Sequence, residues 1–451
     1  TVMLATNRHL VFLQILSLLW SSPSPQQAFP ESHVEGVPDP AGPLLEASPF
    51  TVVWNMPTAK CEKKYGIHLN LEAFDIIQNG HEKFLGQNMA IFYYNKLGLY
   101  PYISKQGRQV NGGVPQRGHL EAHLARAEAQ IKNLLNVSFH GLAVIDWEKW
   151  RPLWLRNFGK KKKYRLLSEE VVKEEHPELS RQEVLLRARK EFETGARLFM
   201  SQTLHLGANM RPAGHWGFYG LPSCFNYYKK NYNYTGRCHP KDSERNDRLD
   251  WLWHDSSALY PSIYLPLSLA GSQNAALMVR HRLLEALRVA SKYSSSSKAV
   301  PVLPYARVAF AHTLRFLTKT DLERTLGEAA ALGAAGVVLW GELRFAKSKQ
   351  QCEILRDYVA QVLGVYLKSL KSGLQQCSME LCGGNGRCVR RDPHYGHYLH
   401  VSELCLSSTT QGPLGCNSTY DSTQLGLAFR CSCYQAWSGE RCEERKPPGT
   451  D

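Results

Sequence analysis

Short apolar runs alternate with longer amphipathic stretches along most of the chain. The runs are "FTVVWNMP" from Phe50, "MAIFYYN" from Met89, "GLAVIDWE" from Gly141, "HWGFYGLP" from His215, "LYPSIYLP" from Leu259, "VLPYARVAF" from Val302 and "GAAGVVLWGE" from Gly333. Each is rich in β-branched and aromatic residues and ends in Pro, Gly or a polar residue, as a buried strand does. Between them, "HLEAHLARAEAQIKNLL" places Leu120, Leu124, Ala127, Ile131 and Leu135 at helical spacing. "SRQEVLLRARKEFETGARLFMSQTLHLGANM", "SQNAALMVRHRLLEALRVASK" and "KTDLERTLGEAAALG" read the same way. Apolar strands alternating with helices predict an α/β fold of parallel strands covered by helices. Seven or eight strands over about 320 residues favour a closed TIM-like (β/α) barrel, with chemistry at the C-terminal strand ends.

The pattern changes at both ends. Leu10 to Trp20 form an apolar run too short for a comfortable membrane span, preceded by Arg8 and followed by "SSPSPQQA". Residues 1–28 are therefore expected to be a signal peptide and leader, with ordered structure beginning near Phe50. Eight of the 12 cysteines crowd between Cys377 and Cys442. There "CSMELCGGNGRCVRR" and "FRCSCYQAWSGERCEER" resemble a growth-factor-like (EGF-like) module interrupted by an insertion. The expected domains are a barrel over 50–370 and a cysteine-rich module over 371–446. The tail "KPPGTD" is not apolar, so no lipid anchor is expected.

An even cysteine count behind an export signal reads as a disulfide framework. A zinc site fits less well, because "CSC" lacks the two-residue gap between ligands. Asn136, Asn233 and Asn417 head glycosylation sequons. The formal net charge of +14 favours a polyanionic partner. For an exported chain that partner is an acidic glycan rather than nucleic acid, reached through a secreted or lysosomal route without a stable membrane anchor. Lys160 to Lys163 form the densest basic cluster, readable as a substrate rail or as a solvated loop.

The candidate chemistry lies in "GLAVIDWEKWRPLW". Alternation along a strand puts Asp146 and Glu148 on one side and Trp147 on the other. Like charges that near raise one pKa, and a neutral acid beside a charged one suits glycoside hydrolysis. Arg151 or Lys149 pairing with the acids at a solvated rim is the competing reading. Tyr93, Tyr219, Tyr260, Tyr305 and Trp340 sit toward the ends of other strands, where they would converge as a sugar platform.

These segments resemble the animal hyaluronidases, a family of glycoside hydrolases. "FTVVWNMPTAKC", "IFYYNKLGLYPYI", "NGGVPQ", "HWGFYGLPSCFNY", "LDWLWHDSSALYPSIYLP" and "LGAAGVVLWGE" carry the resemblance in the family's order from Phe50 to Cys442. The resemblance implies a distorted (β/α) barrel with a growth-factor-like module and no cofactor or metal. It implies a monomer that cleaves the β-1,4 bond from N-acetylglucosamine to glucuronate in hyaluronan. Glu148 would be the general acid/base, and the substrate's own acetamido oxygen the nucleophile. Asp146 and Tyr219 would hold the acetamido group. Tyr93, Tyr260, Tyr305 and Trp340 would line sugar subsites, and Arg151 would meet glucuronate. The implied disulfides are Cys61–Cys352, Cys224–Cys238, Cys377–Cys388, Cys382–Cys431 and Cys433–Cys442, with Cys405 and Cys416 expected to pair inside the insertion. Ser223 and Ala311 stand where active relatives carry acids, both expected near the cleft. Those losses leave two further readings: a glycan-binding paralogue with little turnover, and a chondroitin hydrolase.

Overall fold

The computed structural model describes residue 44 and residues 48–79, 83–227, 233–294, 299–400 and 422–446, all within one compact unit, Pro38–Asp451. The signal-like run, Asn417, Cys405 and Cys416 lie outside the described residues.

The strands are β1 (Thr51–Asn55), β2 (Ile76–Ile77), β3 (Met89–Tyr93), β4 (Tyr102–Ile103), β5 (Gln109–Val110), β6 (Leu142–Asp146), β7 (His215–Phe218), β8 (Tyr305–Ala306) and β9 (Gly336–Trp340). Next come β10 (Gly386–Arg390), β11 (Phe429–Cys433), β12 (Trp437–Ser438) and β13 (Glu444–Arg445). Two parallel sheets form, ordered β2-β1-β9-β8 and β3-β6-β7. Parallel bridges Tyr219↔Tyr260, Leu259↔Val302 and Ser262↔Tyr305 link the two through "LYPSIYLP". That segment does not become the regular strand the apolar pattern predicts. Pro261 has no N–H to give a ladder, so the pairing breaks into isolated bridges. Gly217 is needed where this segment crosses β7: a Cβ there would stand 2.2 Å from the Ala258 carbonyl oxygen.

Helices alternate with these strands: α1 (Ala59–Tyr65), α2 (Leu120–Leu134), α3 (Lys162–Glu175), α4 (Arg181–Met210), α5 (Pro240–Asp247), α6 (Asp250–Asp255) and α7 (Gln273–Tyr293). They continue as α8 (Lys319–Leu322), α9 (Glu328–Ala331), α10 (Lys349–Tyr358), α11 (Gly364–Cys382) and α12 (Ser422–Ala428). Ser180 opens α4 with a capping box, its hydroxyl on the Glu183 N–H and the Glu183 carboxylate on the Ser180 N–H. No helix among the described residues is long and apolar enough to cross a membrane.

Strand side chains alternate between two buried clusters. Val52, Trp54, Phe92, Ile145, Trp216, Phe218 and Leu339 pack toward the helices. Val53, Ile91, Leu142, Val144, Leu303 and Val338 pack together on the other side. Burial on both faces is why the strands read as continuous apolar runs rather than as alternating ones.

Among the described residues five disulfides form: Cys61–Cys352, Cys224–Cys238, Cys377–Cys388, Cys382–Cys431 and Cys433–Cys442. Cys377 and Cys382 lie on α11 and tie it to the antiparallel β10–β11 pair. Asn136 and Asn233 are both exposed.

Candidate active site

The inner face of the strands sets the site. Counting two residues on from Val144, Ile91 and Val338 reaches Asp146, Tyr93 and Trp340, each at a C-terminal strand end. Tyr93 and Asp146 are register partners, and Trp340 is paired with Asn55. β6 ends at Asp146, so Glu148 sits one step past the strand on the loop that follows. Trp147 points the other way, buried against Tyr100, His123 and Phe218. Asp146, Glu148, Tyr219, Tyr305 and Trp340 all line one cavity of about 620 Å³.

The two carboxylates have different surroundings. Asp146 is largely buried, and burial first, then the Glu148 charge, pushes its pKa up to about 7, against the pull of Arg151, Lys149 and Lys161. Glu148 is exposed, its side chain 53% accessible, and meets the Arg151 guanidinium at 3.6 Å. An ion pair that open is screened and weak. The third acid in the cavity, Glu342, is held by Arg307 through contacts of 3.2 and 3.1 Å. Burial raises its pKa, but the Arg307 and Arg344 contacts outweigh that and leave it below the usual carboxylate range.

The loop carrying Glu148 is held by its backbone. Buried Asn157 accepts from the Arg151 N–H at 2.9 Å and donates to the carbonyls of Arg151 and Leu153. The Trp150 indole donates to the Pro101 carbonyl at 2.8 Å. Lys161 reaches back to donate to the carbonyl oxygens of Glu148 and Lys149. Lys163 donates to those of Ile103 and Ser104. The basic cluster therefore divides: Lys161 and Lys163 clamp loops, while Lys160 and Lys162 are exposed on the surface.

The aromatic residues are not equivalent. The Trp340 ring is stacked with Phe84 and Tyr264, centroids 6.2 and 6.4 Å away, and its indole N–H donates to the Tyr93 hydroxyl at 3.1 Å. Tyr93 thus stands behind Trp340 and outside the set that lines the cavity. The Tyr219 hydroxyl donates to Ser262 at 3.5 Å, and burial, then the Glu148 charge, pushes it up to about 12. It stays a neutral donor at any working pH. Tyr260 departs from its expected place: it is fully buried and gives its hydroxyl to the His215 carbonyl at 2.6 Å. Ala311 lines the cavity, whereas Ser223 does not and is bonded through its backbone to Asn246.

Three groups of the cavity escape a reading of the sequence. Tyr264 and the Arg307–Glu342 pair come from different segments. Arg282, on α7, donates to Asn226 at 2.8 Å and to the Ser262 carbonyl at 2.9 Å, with its guanidinium over Tyr227. Tyr264, Arg307 and Glu342 lie in segments that read as strands, but nothing in their spacing brings them to one cavity; the i, i+4 apolar stripe of α7 hides Arg282 among core positions.

The chain matches the family model described as hyaluronidase over residues 39–446. It is 42% identical to hyaluronidase-1 of Sus scrofa over 410 residues, covering 89% of this chain and 94% of that one. It is 45% identical to hyaluronidase-3 of Mus musculus over 402 residues, covering 88% and 93%. The solved structure of bee venom hyaluronidase in complex with a hyaluronic acid tetramer is also similar, with a TM-score of 0.63 and 35% identity over 70% of this chain and 97% of that one. With Asp146 at the end of β6, Glu148 on the loop that follows and matches that span nearly its whole length, the chain belongs to the hyaluronidase family of glycoside hydrolases.

Proposed function

We propose that the protein is an endo-acting hyaluronidase that cleaves the β-1,4 bond from N-acetylglucosamine to glucuronate in hyaluronan with retention of configuration. The observation that carries the reading is the pair Asp146 and Glu148 on one cavity wall, one buried with its pKa raised, the other exposed. Glu148 is placed to give a proton to the leaving oxygen and then to take one from water. A retaining enzyme of the two-carboxylate kind needs a second free acid as nucleophile. Glu342 is committed to Arg307, and Asp146 is the immediate neighbour of the acid itself. As the resemblance to the family implies, the nucleophile in this reading is the substrate's acetamido oxygen. Asp146 accepts from the acetamido N–H and stabilises the positive charge that develops on that group as the ring closes. The neutral Tyr219 hydroxyl holds it from the opposite side.

Trp340 offers a face for sugar rings, while Tyr305 is buried against Tyr219 and backs the cavity wall, and Arg282 and Arg151 offer charge for glucuronate carboxylates. Tyr93 supports the platform through its hydrogen bond to Trp340 rather than by contact with the sugar. The parallel strands, joined through the 259–262 bridges and buried on both faces, fit a distorted (β/α) barrel over 50–370. The disulfide-tied β10–β11 pair fits a growth-factor-like module over 371–446. Five disulfides and two exposed sequons support a secretory route to lysosome or extracellular space.

The test is to incubate the glycosylated protein with hyaluronan and with chondroitin from pH 3.5 to 8 and follow chain length and product anomer. Shortened hyaluronan whose new ends first appear as the β-anomer is expected. The α-anomer would exclude the acetamido route, and binding without shortening at every pH would leave a glycan-binding paralogue.

A further inference from the structure

A second cavity, of about 800 Å³, lies at the other ends of the parallel strands. Its floor belongs to residues that lead into β8 and β9, Val300, Val302, Leu332 and Ala335. One wall is the last turn of α7, with Ser291; the other is the β10–β11 ladder. Arg387, Arg390, Arg391, Arg430 and Lys446 line it, and no carboxylate does among the described residues.

The ladder register explains why these cations converge. Arg387 stands opposite Ser432, and Val389 opposite Arg430. Side chains two apart share a face, so Arg387, Val389 and Arg391 look the same way as Arg430. Val389 fixes that direction: its Cγ2 stands 2.8 Å from where a Cβ on Gly333 would be, at the entry to β9. Arg390 pairs with Glu328 at 3.0 Å, a carboxylate it shares with Arg280. The other four cations make no ion pair among the described residues. Arg387 is held instead by the Pro49 carbonyl at 2.7 Å and by the Tyr434 ring, and Arg391 by the Gly426 carbonyl at 2.6 Å. These contacts orient the guanidinium groups and leave their charge uncompensated.

We infer that this cavity is a second binding site for an acidic glycan, on the face opposite the catalytic cleft. The inference rests on the reading that an acidic glycan is the substrate, since a polymer is long enough to engage two faces of one molecule. Guanidinium forks take carboxylate or sulfate with two hydrogen bonds each. Arg387 and Arg391, four residues apart, lie about 13 Å from each other along the chain, with Arg430 across the ladder at the level between them, a spread that suits a repeating polyanion better than one small ion. Ser291 and Ser432 add hydroxyls for sugar oxygens. Linking two sites through one polymer raises its apparent affinity without any new contact in the catalytic cleft.

The test uses the full chain with Glu148→Gln, so that polymer is bound and not cut. Long hyaluronan and chondroitin sulfate of equal length are titrated with and without R391Q/R430Q/K446Q, three exposed positions whose loss should leave the melting temperature unchanged. The triple variant should weaken binding of at least one polymer by about tenfold and flatten its salt dependence. The polymer affected tells whether carboxylate or sulfate is read. In the background that keeps Glu148, turnover of a hyaluronan octasaccharide should stay within about twofold, because the cleft is untouched. Unchanged affinity for both polymers overturns the inference, as does polyglutamate binding as tightly as the glycans. A wild-type chain that never shortens hyaluronan would refute the catalytic reading alone, because the binding titration still decides the second site.

Discussion

Two carboxylates one residue apart meet different solvents, and that difference divides their work. Asp146 ends a strand and is buried; Glu148 lies on a loop and is open. Asp146→Asn keeps the shape and removes the ionisable group. It should lower kcat on hyaluronan by about 10²–10³-fold with KM little changed, the loss expected of a group that acts on developing charge. The same variant has a stability signature. The folded pKa of Asp146 is raised from 3.8 to about 7, so the folded chain holds this proton more tightly than the unfolded one. That contribution is fully present below pH 3.8 and is lost as pH rises through about 7. Asp146→Asn should therefore melt increasingly above wild type from pH 4 to 8, by a difference on the order of 2–4 kcal/mol. A gap independent of pH would contradict the burial argument. Lys161 clamps the backbone beside Glu148, and burial, then the Arg151 charge, pushes it down to about 8. Lys161→Met should cut kcat by about tenfold below pH 8, a deficit that closes above it where lysine loses its proton, and Lys161→Arg should keep activity there. Parallel pH–rate profiles for all three proteins would show that the clamp is not used.

At the scale of elements, the strands were legible because burial on both faces leaves runs of branched and aromatic residues such as "GLAVI" and "GVVLW". The "LYPSIYLP" segment misled, since its apolar content is that of a strand while Pro261 denies it a ladder. Tyr260 misled for a related reason: its face was assigned by neighbourhood, and its hydroxyl serves the His215 carbonyl. What joins elements was not legible at all. Glu328 on α9 is buried between Arg280 of α7, at 2.6 Å, and Arg390 of β10, at 3.0 Å. No local pattern announces a partner 62 residues away. Glu328→Gln would leave two buried guanidinium groups with no counter-charge and should cost about 3–5 kcal/mol in chemical denaturation. A loss below about 1 kcal/mol would mean that water relieves the two arginines.

At the scale of the molecule, a catalytic cleft at one end of the strands and a cationic cavity at the other share one compact unit. Cys61–Cys352 closes that unit across 291 residues, joining α1 after the first strand to α10 after the last of the parallel set. Replacing both cysteines with alanine should destabilise the fold by about 2–5 kcal/mol while leaving kcat of the folded fraction intact, because neither lines the cleft. The net charge of +14 announced a polyanion from composition alone, but where the charge gathers depends on the β10–β11 register, which no composition shows. The central claim remains that one exposed carboxylate moves the proton. The direct measurement is hyaluronan depolymerisation by Glu148→Gln beside its hyaluronan affinity. Depolymerisation should vanish, by about 10³-fold or more, while affinity stays within a few-fold of wild type. Depolymerisation at the wild-type rate would contradict the assignment and move the acid/base role to another group in the cleft.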